Sequence, residues 1–169
     1  MSKGLIVIPI ADGVEDLEYH VPRMRLQEIG YEVLGIGLDH TPVIGKNGLI
    51  IPVDKLISEI SADDLAGMIL AGGWAPDKLR RNSQLIELIK AVASQKKPIG
   101  IICHGGLLAI SAKIVAGRKS TGSLGIKDDL INAGATWADE AAFTDENLIW
   151  GRVVADIPAF NAELVKAFQ

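Results

Sequence analysis

Short apolar runs rich in β-branched residues constrain the fold of this chain more than any other feature. They lie at 5–10, 32–38, 67–71 and 99–102. Segments with helical spacing separate them, and each run is short enough to be a strand. An apolar run without alternation is typical of a strand that is covered on both faces, as in a parallel sheet. The sequence therefore predicts an α/β fold with a mainly parallel central sheet, whose ligands bind beyond the carboxyl ends of the strands.

The remaining elements follow from apolar spacing and from glycine, proline and capping residues. Helices are predicted at 14–29, from an N-cap at Ser83 to about 95, at 107–112, 125–133 and 157–168. Pro22 is expected to kink or interrupt the first of them, because proline lacks an N–H group. A hairpin or an extension of the sheet edge is predicted at 43–53 around Asn47-Gly48, and shorter strands at 136–137, 141–144 and 148–154. Residues 54–65 show a broken helical pattern.

Size and composition narrow the class of protein. The chain has 169 residues, of which 49% are hydrophobic, and these values predict one domain over 1–169 with a sizeable core. The net charge of −4 argues against a nucleic acid or an anionic membrane surface as partner. The N-terminal apolar run is too short for a membrane span and shows no signal-peptide pattern. We predict a cytoplasmic location, and a lone cysteine suits that reducing compartment.

Cys103 is the residue around which a chemical site can be predicted. It is the only cysteine, and it follows the 99–102 run directly, before His104, two glycines and a helical segment at 107–112. A sharp turn there would place its sulfur at the start of a helix, where the thiolate is favoured over the thiol. A thiolate in that place is a nucleophile beside backbone oxyanion donors. The alternative is an inert core cysteine, since lone cysteines mostly pack.

Two further strand ends are expected at the same edge of the sheet. Glu18 follows the first strand, and Gly72 and Gly73 follow the 67–71 run. A buried carboxyl group that stays protonated can donate a hydrogen bond to a thiolate, and glycine N–H groups can hold an oxyanion. The alternatives are a solvated carboxylate in a first helical turn and an ordinary tight turn. Adjacent side chains usually diverge at such a turn, so a pair between Cys103 and His104 is not assured.

A set of segments in a fixed order carries a family resemblance. They are GVEDLEYHVPRMRLQEIGYEV, LAGGWAPDKLRRN, GIICHGG, GRKSTGSLGIKDDLINAGATWADE and GRVVADIPAF. Together they span essentially the whole chain, and in order and spacing it resembles the PfpI family of the ThiJ/PfpI superfamily, whose domains are similar to class I glutamine amidotransferases. The resemblance implies a flavodoxin-like three-layer sandwich with the cysteine on a nucleophile elbow.

The same resemblance assigns roles to particular residues. It implies that Cys103 is the nucleophile, that Glu18 is the buried carboxylic acid beside it, and that His104 and Gly73 supply oxyanion donors. In such proteins an acidic residue after the GG-x-A-P run reaches the histidine from a neighbouring subunit, and here that residue is Asp77. The implied Cys103–His104–Asp77 triad would exist only in the oligomer, a homodimer or a homohexamer.

The chain departs from the family pattern at several points. Asp77 stands where the family usually has a glutamate, and Ser123 and Leu124 stand where a tyrosine and a proline are common. Trp74 stands where relatives often have arginine, and we expect it either to wall the pocket or to be a partly buried aromatic residue. Together with Gly72 it is expected to contact the oxyanion or the substrate.

The function implied by the resemblance is that of a cysteine-dependent enzyme acting on carbonyl compounds. Its reaction would be of the glyoxalase III, deglycase or intracellular peptidase type, on small carbonyl compounds, glycated adducts or peptides. No cofactor is expected, and the three histidines are scattered without the spacing of metal ligands. Two alternatives belong to other classes: a redox or electrophile sensor that oxidises Cys103 to a sulfinate beside Glu18, and a holdase chaperone of the stress response.

Overall fold

Eleven strands, seven of them in a central sheet, form the β structure of the computed structural model, which describes residues 2–169. In chain order they are β1 (Leu5–Pro9), β2 (Glu32–Gly37), β3 (Val43–Ile44), β4 (Ile50–Ile51), β5 (Lys55–Leu56), β6 (Leu65–Leu70), β7 (Ile99–Ile102), β8 (Lys119–Ser120), β9 (Thr136–Trp137), β10 (Ala142–Asp145) and β11 (Leu148–Gly151). The β3–β4 pair is the predicted hairpin.

The central sheet has the strand order β10-β11-β7-β6-β1-β2-β5. Its strands pair in parallel except at the edge, where β10 runs antiparallel to β11. The chain passes from β1 to β2 in one direction across the sheet and from β6 to β7 in the other. Since such crossovers are right-handed, their helices cover opposite faces of the sheet. The carboxyl ends of β1, β6 and β7 adjoin at this change of direction, where α/β proteins bind ligands.

The helices form the two outer layers. They are α1 (Asp16–Glu28), α2 (Ala75–Leu79), α3 (Ser83–Ser94), α4 (Gly106–Ser111), α5 (Lys127–Asn132) and α6 (Ile157–Phe168). One layer contains α1 in contact with α6, and the other contains α4 in contact with α2, α3 and α5. The strands β7 and β11 between these layers are buried along their whole length. The predicted three-layer α/β sandwich with a mainly parallel sheet is confirmed.

Three local predictions are corrected. α1 runs through Pro22 without interruption, although proline leaves the Glu18 carbonyl without its usual donor one turn on. Asn82, not Ser83, caps α3: its side chain accepts a hydrogen bond of 2.9 Å from the Leu85 N–H. Residues 54–65 contain β5 and 3₁₀ turns at 57–59 and 62–64, not a broken α-helix.

No helix in the described range 2–169 combines the length and the apolar character that crossing a bilayer requires.

Candidate active site

Cys103 lies on a tight elbow between β7 and α4. Its φ is +56°, a left-handed conformation that is uncommon for a residue with a side chain and that clusters at functional sites. A 3₁₀ turn over 103–105 follows before α4 begins. A Cβ atom at Gly105 would overlap the carbonyl oxygen of Leu70, so glycine there lets the elbow lie directly against the end of β6. The fold therefore has the predicted nucleophile elbow.

Glu18 brings a fully buried carboxyl group to this elbow from the first turn of α1. Its Oε2 accepts a hydrogen bond of 2.6 Å from the Gly72 N–H, and its Oε1 has no hydrogen-bond partner. A Cβ atom at Gly72 would lie 2.6 Å from Glu18 Oε2 and 2.9 Å from Cys103 Cβ, so this approach requires glycine. The Gly72 N–H thus holds the carboxyl group and is not directed at a substrate.

The carboxyl group and the thiol each shift the other's titration. Burial raises the pKa of Glu18 to about 7, against the opposing effect of the Gly72 hydrogen bond. Burial, together with the charge of ionised Glu18, raises the pKa of Cys103 to about 12, while the His104 N–H lowers it. The prediction that the helix start favours the thiolate over the thiol is therefore wrong, because burial and ionised Glu18 both raise the pKa of Cys103. α4 is short, and the proton that leaves at neutral pH belongs to the pair.

The His104 ring contacts the sulfur, a pairing that the sequence left open. Its Nδ1 lies 3.4 Å from Cys103 Sγ. Burial, reinforced by the positive charge of Lys46, lowers the pKa of His104, so the imidazole is neutral and able to accept a proton. A Cβ atom at Gly125 would lie 3.3 Å from Nε2, which places that glycine against the far side of the ring.

Gly73 contributes a backbone N–H to the wall of the site. Its φ is +77°, and it forms a short antiparallel bridge with Val14. The hydrogen bonds of this bridge run from the Glu15 N–H to the Gly72 carbonyl, at 3.2 Å, and from the Trp74 N–H to the Gly13 carbonyl, at 2.8 Å. The Gly73 N–H takes no part in this pairing.

These groups open into one cavity of about 300 Å³. Its lining is Glu15, Glu18, Lys46, Gly73, Trp74, Cys103, His104, Ser123, Val153, Val154 and Ala155. The Trp74 side chain is 68% exposed and walls the mouth, with the Lys46 ammonium 5.5 Å from its ring centroid. The lining thus combines the polar groups around Cys103 with the apolar segment 153–155.

Asp77 is not part of this cavity within one chain. It lies on α2 with its side chain 67% exposed, and its Oδ2 accepts a hydrogen bond of 2.6 Å from Arg81. Leu124 is likewise exposed, whereas Ser123 lines the cavity. Of the predicted site residues, the structure brings Cys103, His104, Glu18, Gly72, Gly73 and Trp74 together and leaves Asp77 outside.

Lys46 and the segment 153–155 are cavity residues that sequence reasoning missed. Lys46 belongs to the β3–β4 turn, and that turn is held against the start of α1. The Asp16 carboxylate accepts the Asn47 N–H at 2.7 Å and the Leu49 N–H at 3.0 Å. The Lys46 N–H donates to the Val14 carbonyl at 2.8 Å. The signal in the sequence that could have indicated this turn is Asp16, directly after the first strand. A carboxylate buried at that place needs hydrogen-bond donors, and the β3–β4 turn supplies them.

Within residues 2–169, no three His, Cys, Asp or Glu side chains are grouped as a metal site requires.

The fold and the site together define a class of protein: a flavodoxin-like α/β sandwich with a cysteine on a strained elbow beside a buried carboxyl group. The chain belongs to the DJ-1/PfpI family, whose model matches residues 5–167. A relative from Pyrococcus abyssi, named a deglycase, is 39% identical over 97% of this chain and 99% of its own length. General stress protein 18 of Bacillus subtilis is 38% identical over 96% of both chains.

A solved structure extends the likeness to three dimensions. It is a two-domain protein from Anabaena variabilis with DJ-1/ThiJ/PfpI-like and ferritin-like domains, and it superposes with a TM-score of 0.93 at 34% identity. The match covers 97% of this chain and 48% of that one, so this chain spans about half of the two-domain protein.

Proposed function

We propose that this chain is a cysteine-dependent enzyme that acts on carbonyl compounds, with Cys103 as nucleophile and a deglycase or glyoxalase III reaction as its activity. The observation that carries the proposal is the position of the Cys103 sulfur. It lies on a strained elbow, beside a buried carboxyl group and in contact with a neutral imidazole, and it faces a cavity of about 300 Å³. The relative from Pyrococcus abyssi that is named a deglycase supports this reaction class.

The nucleophile forms by proton transfer inside the site. Once Glu18 has ionised, above about pH 7, the Glu18–Cys103 pair holds one proton, and this proton resides on the sulfur because the pKa of Cys103 is the higher one. Transfer to the Glu18 carboxylate, or to His104 Nδ1 at 3.4 Å, gives the thiolate without a change in the total charge of the site. A group whose pKa is near the working pH is suited to receive that proton and return it.

The reaction on a 1,2-dicarbonyl compound then needs no oxidant or reductant. Cys103 Sγ bonds to the aldehyde carbon, and the carbonyl electron pair moves to oxygen, where the Gly73 and His104 N–H groups stabilise it. The proton on that carbon moves to the neighbouring carbonyl carbon through an enediol, which leaves a thioester. Water hydrolyses the thioester and releases a 2-hydroxy acid and the thiol. On a glycated adduct, the Cys103 thiolate displaces the amine or thiol of the adduct from the hydroxyl-bearing carbon. The new carbon–sulfur bond replaces the bond to that amine or thiol, which leaves with the proton taken from Cys103, and the same hemithioacetal of Cys103 results.

Turnover of methylglyoxal and of its adducts tests this proposal. We expect Cys103→Ala to abolish turnover and Glu18→Gln to lower kcat by about a hundredfold, because loss of a positioned proton carrier typically costs that much. Glu87→Gln, at an exposed position of α3, is the matched control and should behave as the wild type. Turnover that survives Cys103→Ala would refute the proposal.

A sensor is the second candidate, and the buried Glu18 Oε1 without a partner favours it. A peroxide would transfer one oxygen to the thiolate and leave as water, and a second peroxide would give the sulfinate. A protonated Glu18 could then donate a hydrogen bond to a sulfinate oxygen. Clean conversion of Cys103 to the sulfinate, in a protein that turns over no aldehyde, adduct or peptide, would establish this function in place of the enzyme.

We further propose that the site is completed in an oligomer, by Asp77 of one subunit acting on His104 of another. The exposure of the Asp77 side chain supports this assembly, because in the single chain Asp77 contacts Arg81 on the surface and does not line the cavity. A carboxylate that orients the imidazole is the third member of a nucleophile triad.

A further inference from the structure

Lys46 is the one full cation in the wall of the Cys103 cavity, and nothing in the proposed reaction uses it. His104, the other basic side chain there, is neutral because burial lowers its pKa. None of the ion pairs formed among residues 2–169 includes the Lys46 ammonium group. The side chain is exposed at the cavity mouth and lies over Trp74. It is therefore free to meet an anion there.

The carboxylates of the cavity do not compete for this ammonium group, because other donors hold them. Glu15 Oε2 accepts the N–H groups of Leu17 and Glu18 at 2.9 and 3.0 Å, and Glu15 Oε1 accepts Asn47 Nδ2 at 2.8 Å. Glu18 is bound to the Gly72 N–H and is fully buried. The negative charges therefore point into the protein, while the positive charge points into the cavity mouth.

The backbone under Lys46 is fixed. Its own N–H is bound to the Val14 carbonyl, and the neighbouring Asn47 N–H is bound to the Asp16 carboxylate. A lysine on a fixed turn loses less freedom on binding than one on a mobile loop. The rest of the wall includes the apolar segment 153–155 and the Trp74 ring. A ligand suited to this cavity has a small apolar body, a carbonyl carbon near Cys103 and an anionic group near Lys46.

We propose that Lys46 is a specificity residue that binds a carboxylate of the substrate, so that the preferred substrates are carbonyl adducts that keep a free carboxylate. Adducts of a dicarbonyl compound with an amino acid are of this class, whereas neutral dicarbonyls and adducts within a peptide chain lack the group. This inference rests on the proposed function for the reacting carbon, and it adds which substrate group the mouth of the cavity recognises.

A pair of alkylating reagents tests whether Lys46 attracts a carboxylate, and the test does not depend on enzyme turnover. Iodoacetate and iodoacetamide react alike: the Cys103 thiolate forms a carbon–sulfur bond and iodide leaves. They differ in carrying a carboxylate or a neutral amide. We expect the iodoacetate to iodoacetamide rate ratio to fall by about three- to tenfold in Lys46→Met, the range of a partly exposed charge-assisted contact. The ratio is compared and not the two rates, because the charge of Lys46 lowers the pKa of Cys103 and its loss would slow both reactions.

Two variants separate recognition from general effects. Lys46→Arg keeps the cation and should keep most of the preference. Lys55→Met removes the same charge from the exposed edge strand β5 and should leave the ratio at its wild-type value. High salt should lower the wild-type ratio toward that of Lys46→Met, because salt screens a contact at the cavity mouth. An unchanged ratio in Lys46→Met overturns the inference and leaves the proposed function standing.

Steady-state turnover provides a second test of the inference. The methylglyoxal adducts of N-acetylcysteine and of its amide present the same reacting carbon with and without a carboxylate. We expect the wild type to show a lower KM for the anionic adduct and Lys46→Met to lose most of that difference. Equal losses on both adducts would show a structural role and overturn the inference. Failure of both reagents to alkylate Cys103, with no turnover of either adduct, would overturn the proposed function along with it.

Discussion

Burial of the Glu18 side chain disfavours its ionised form. The folded protein holds the proton up to about pH 7, whereas the ordinary pKa of a glutamate is 4.5. The unfolded chain therefore releases this proton at a lower pH than the folded chain does. The free energy of unfolding should fall as the pH rises from 4.5 to about 7 and then be level.

Replacing Glu18 removes this dependence. Between about pH 5 and pH 8, we expect the free energy of unfolding of Glu18→Gln to rise relative to that of the wild type by about 2–3 kcal/mol, as the pKa difference requires. Urea unfolding of both proteins across that range measures it. The same pH trend in the two proteins would show that Glu18 titrates normally and that its burial has no electrostatic cost.

At the scale of single residues, sequence reasoning predicted the reactive centre better than its surroundings. Cys103 and Glu18 follow β7 and β1, which pair in parallel with the two sides of β6, so both residues lie at the same edge of the sheet. The protonation of the pair could not be predicted, because it depends on burial. Lys46 was missed for another reason: its turn is far from Cys103 in sequence, and the link runs through Asp16.

At the scale of elements, the β3–β4 turn and the start of α1 behave as one unit. Burial by itself would raise the pKa of Asp16, but hydrogen bonds from the Asn47 and Leu49 N–H groups lower it overall. The carboxylate is therefore favoured in the folded protein. It stabilises the turn at pH values above its ordinary pKa, and this contribution is lost as the pH falls through the lowered value.

Weakening this link should loosen the turn that carries Lys46. We expect Asp16→Asn to lower the free energy of unfolding by about 1–3 kcal/mol, because an amide supplies one acceptor for two N–H donors that a carboxylate satisfies. The iodoacetate to iodoacetamide ratio at Cys103 should fall in the same variant. Asp128→Asn, at an exposed position of α5, is the control for loss of the charge. Wild-type stability in Asp16→Asn would contradict the proposed role of the carboxylate.

The sequence predicted the type of an element best where a strand is covered on both faces, because such a strand is an unbroken apolar run. β7 and β11 lie between helical layers, and that burial is what their unbroken apolar runs indicate. β5 has two residues and pairs only with the end of β2, so 54–65 offered no strand pattern. Continuity of α1 through Pro22 depends on tertiary packing, since Pro22 is buried against the rest of the protein.

At the scale of the whole molecule, the arrangement of the layers followed from the alternation of strands and helices, but the assembly of several chains did not. Asp77 illustrates the difference. Its sequence position after the GGWAP run implies a role at His104, while its place on α2 leaves it on the surface of the single chain. The two facts agree if a second subunit covers that surface, which is the assembly proposed above.

Mixing experiments test that assembly directly. If Asp77 acts across subunits, Cys103→Ala and Asp77→Ala should each be inactive as pure proteins, with Asp77→Glu active. When equal amounts of the two inactive variants are reassociated as dimers, hybrids combine the Asp77→Ala subunit's Cys103 and His104 with the Asp77 of the other subunit. Random pairing makes half of the dimers hybrids, each with one intact site, so activity should return to roughly a quarter of the wild-type value.

Subunit contact alone does not produce this rescue, because an Asp77 that served its own chain would leave every hybrid site defective. The quaternary state, measured by light scattering on the same samples, shows whether the variants still associate. Wild-type activity in pure Asp77→Ala, or a mixture that associates and stays inactive, would place the orienting group of His104 elsewhere. Rescue would show that the Cys103 site is assembled from two chains, with its nucleophile from one and its orienting carboxylate from the other.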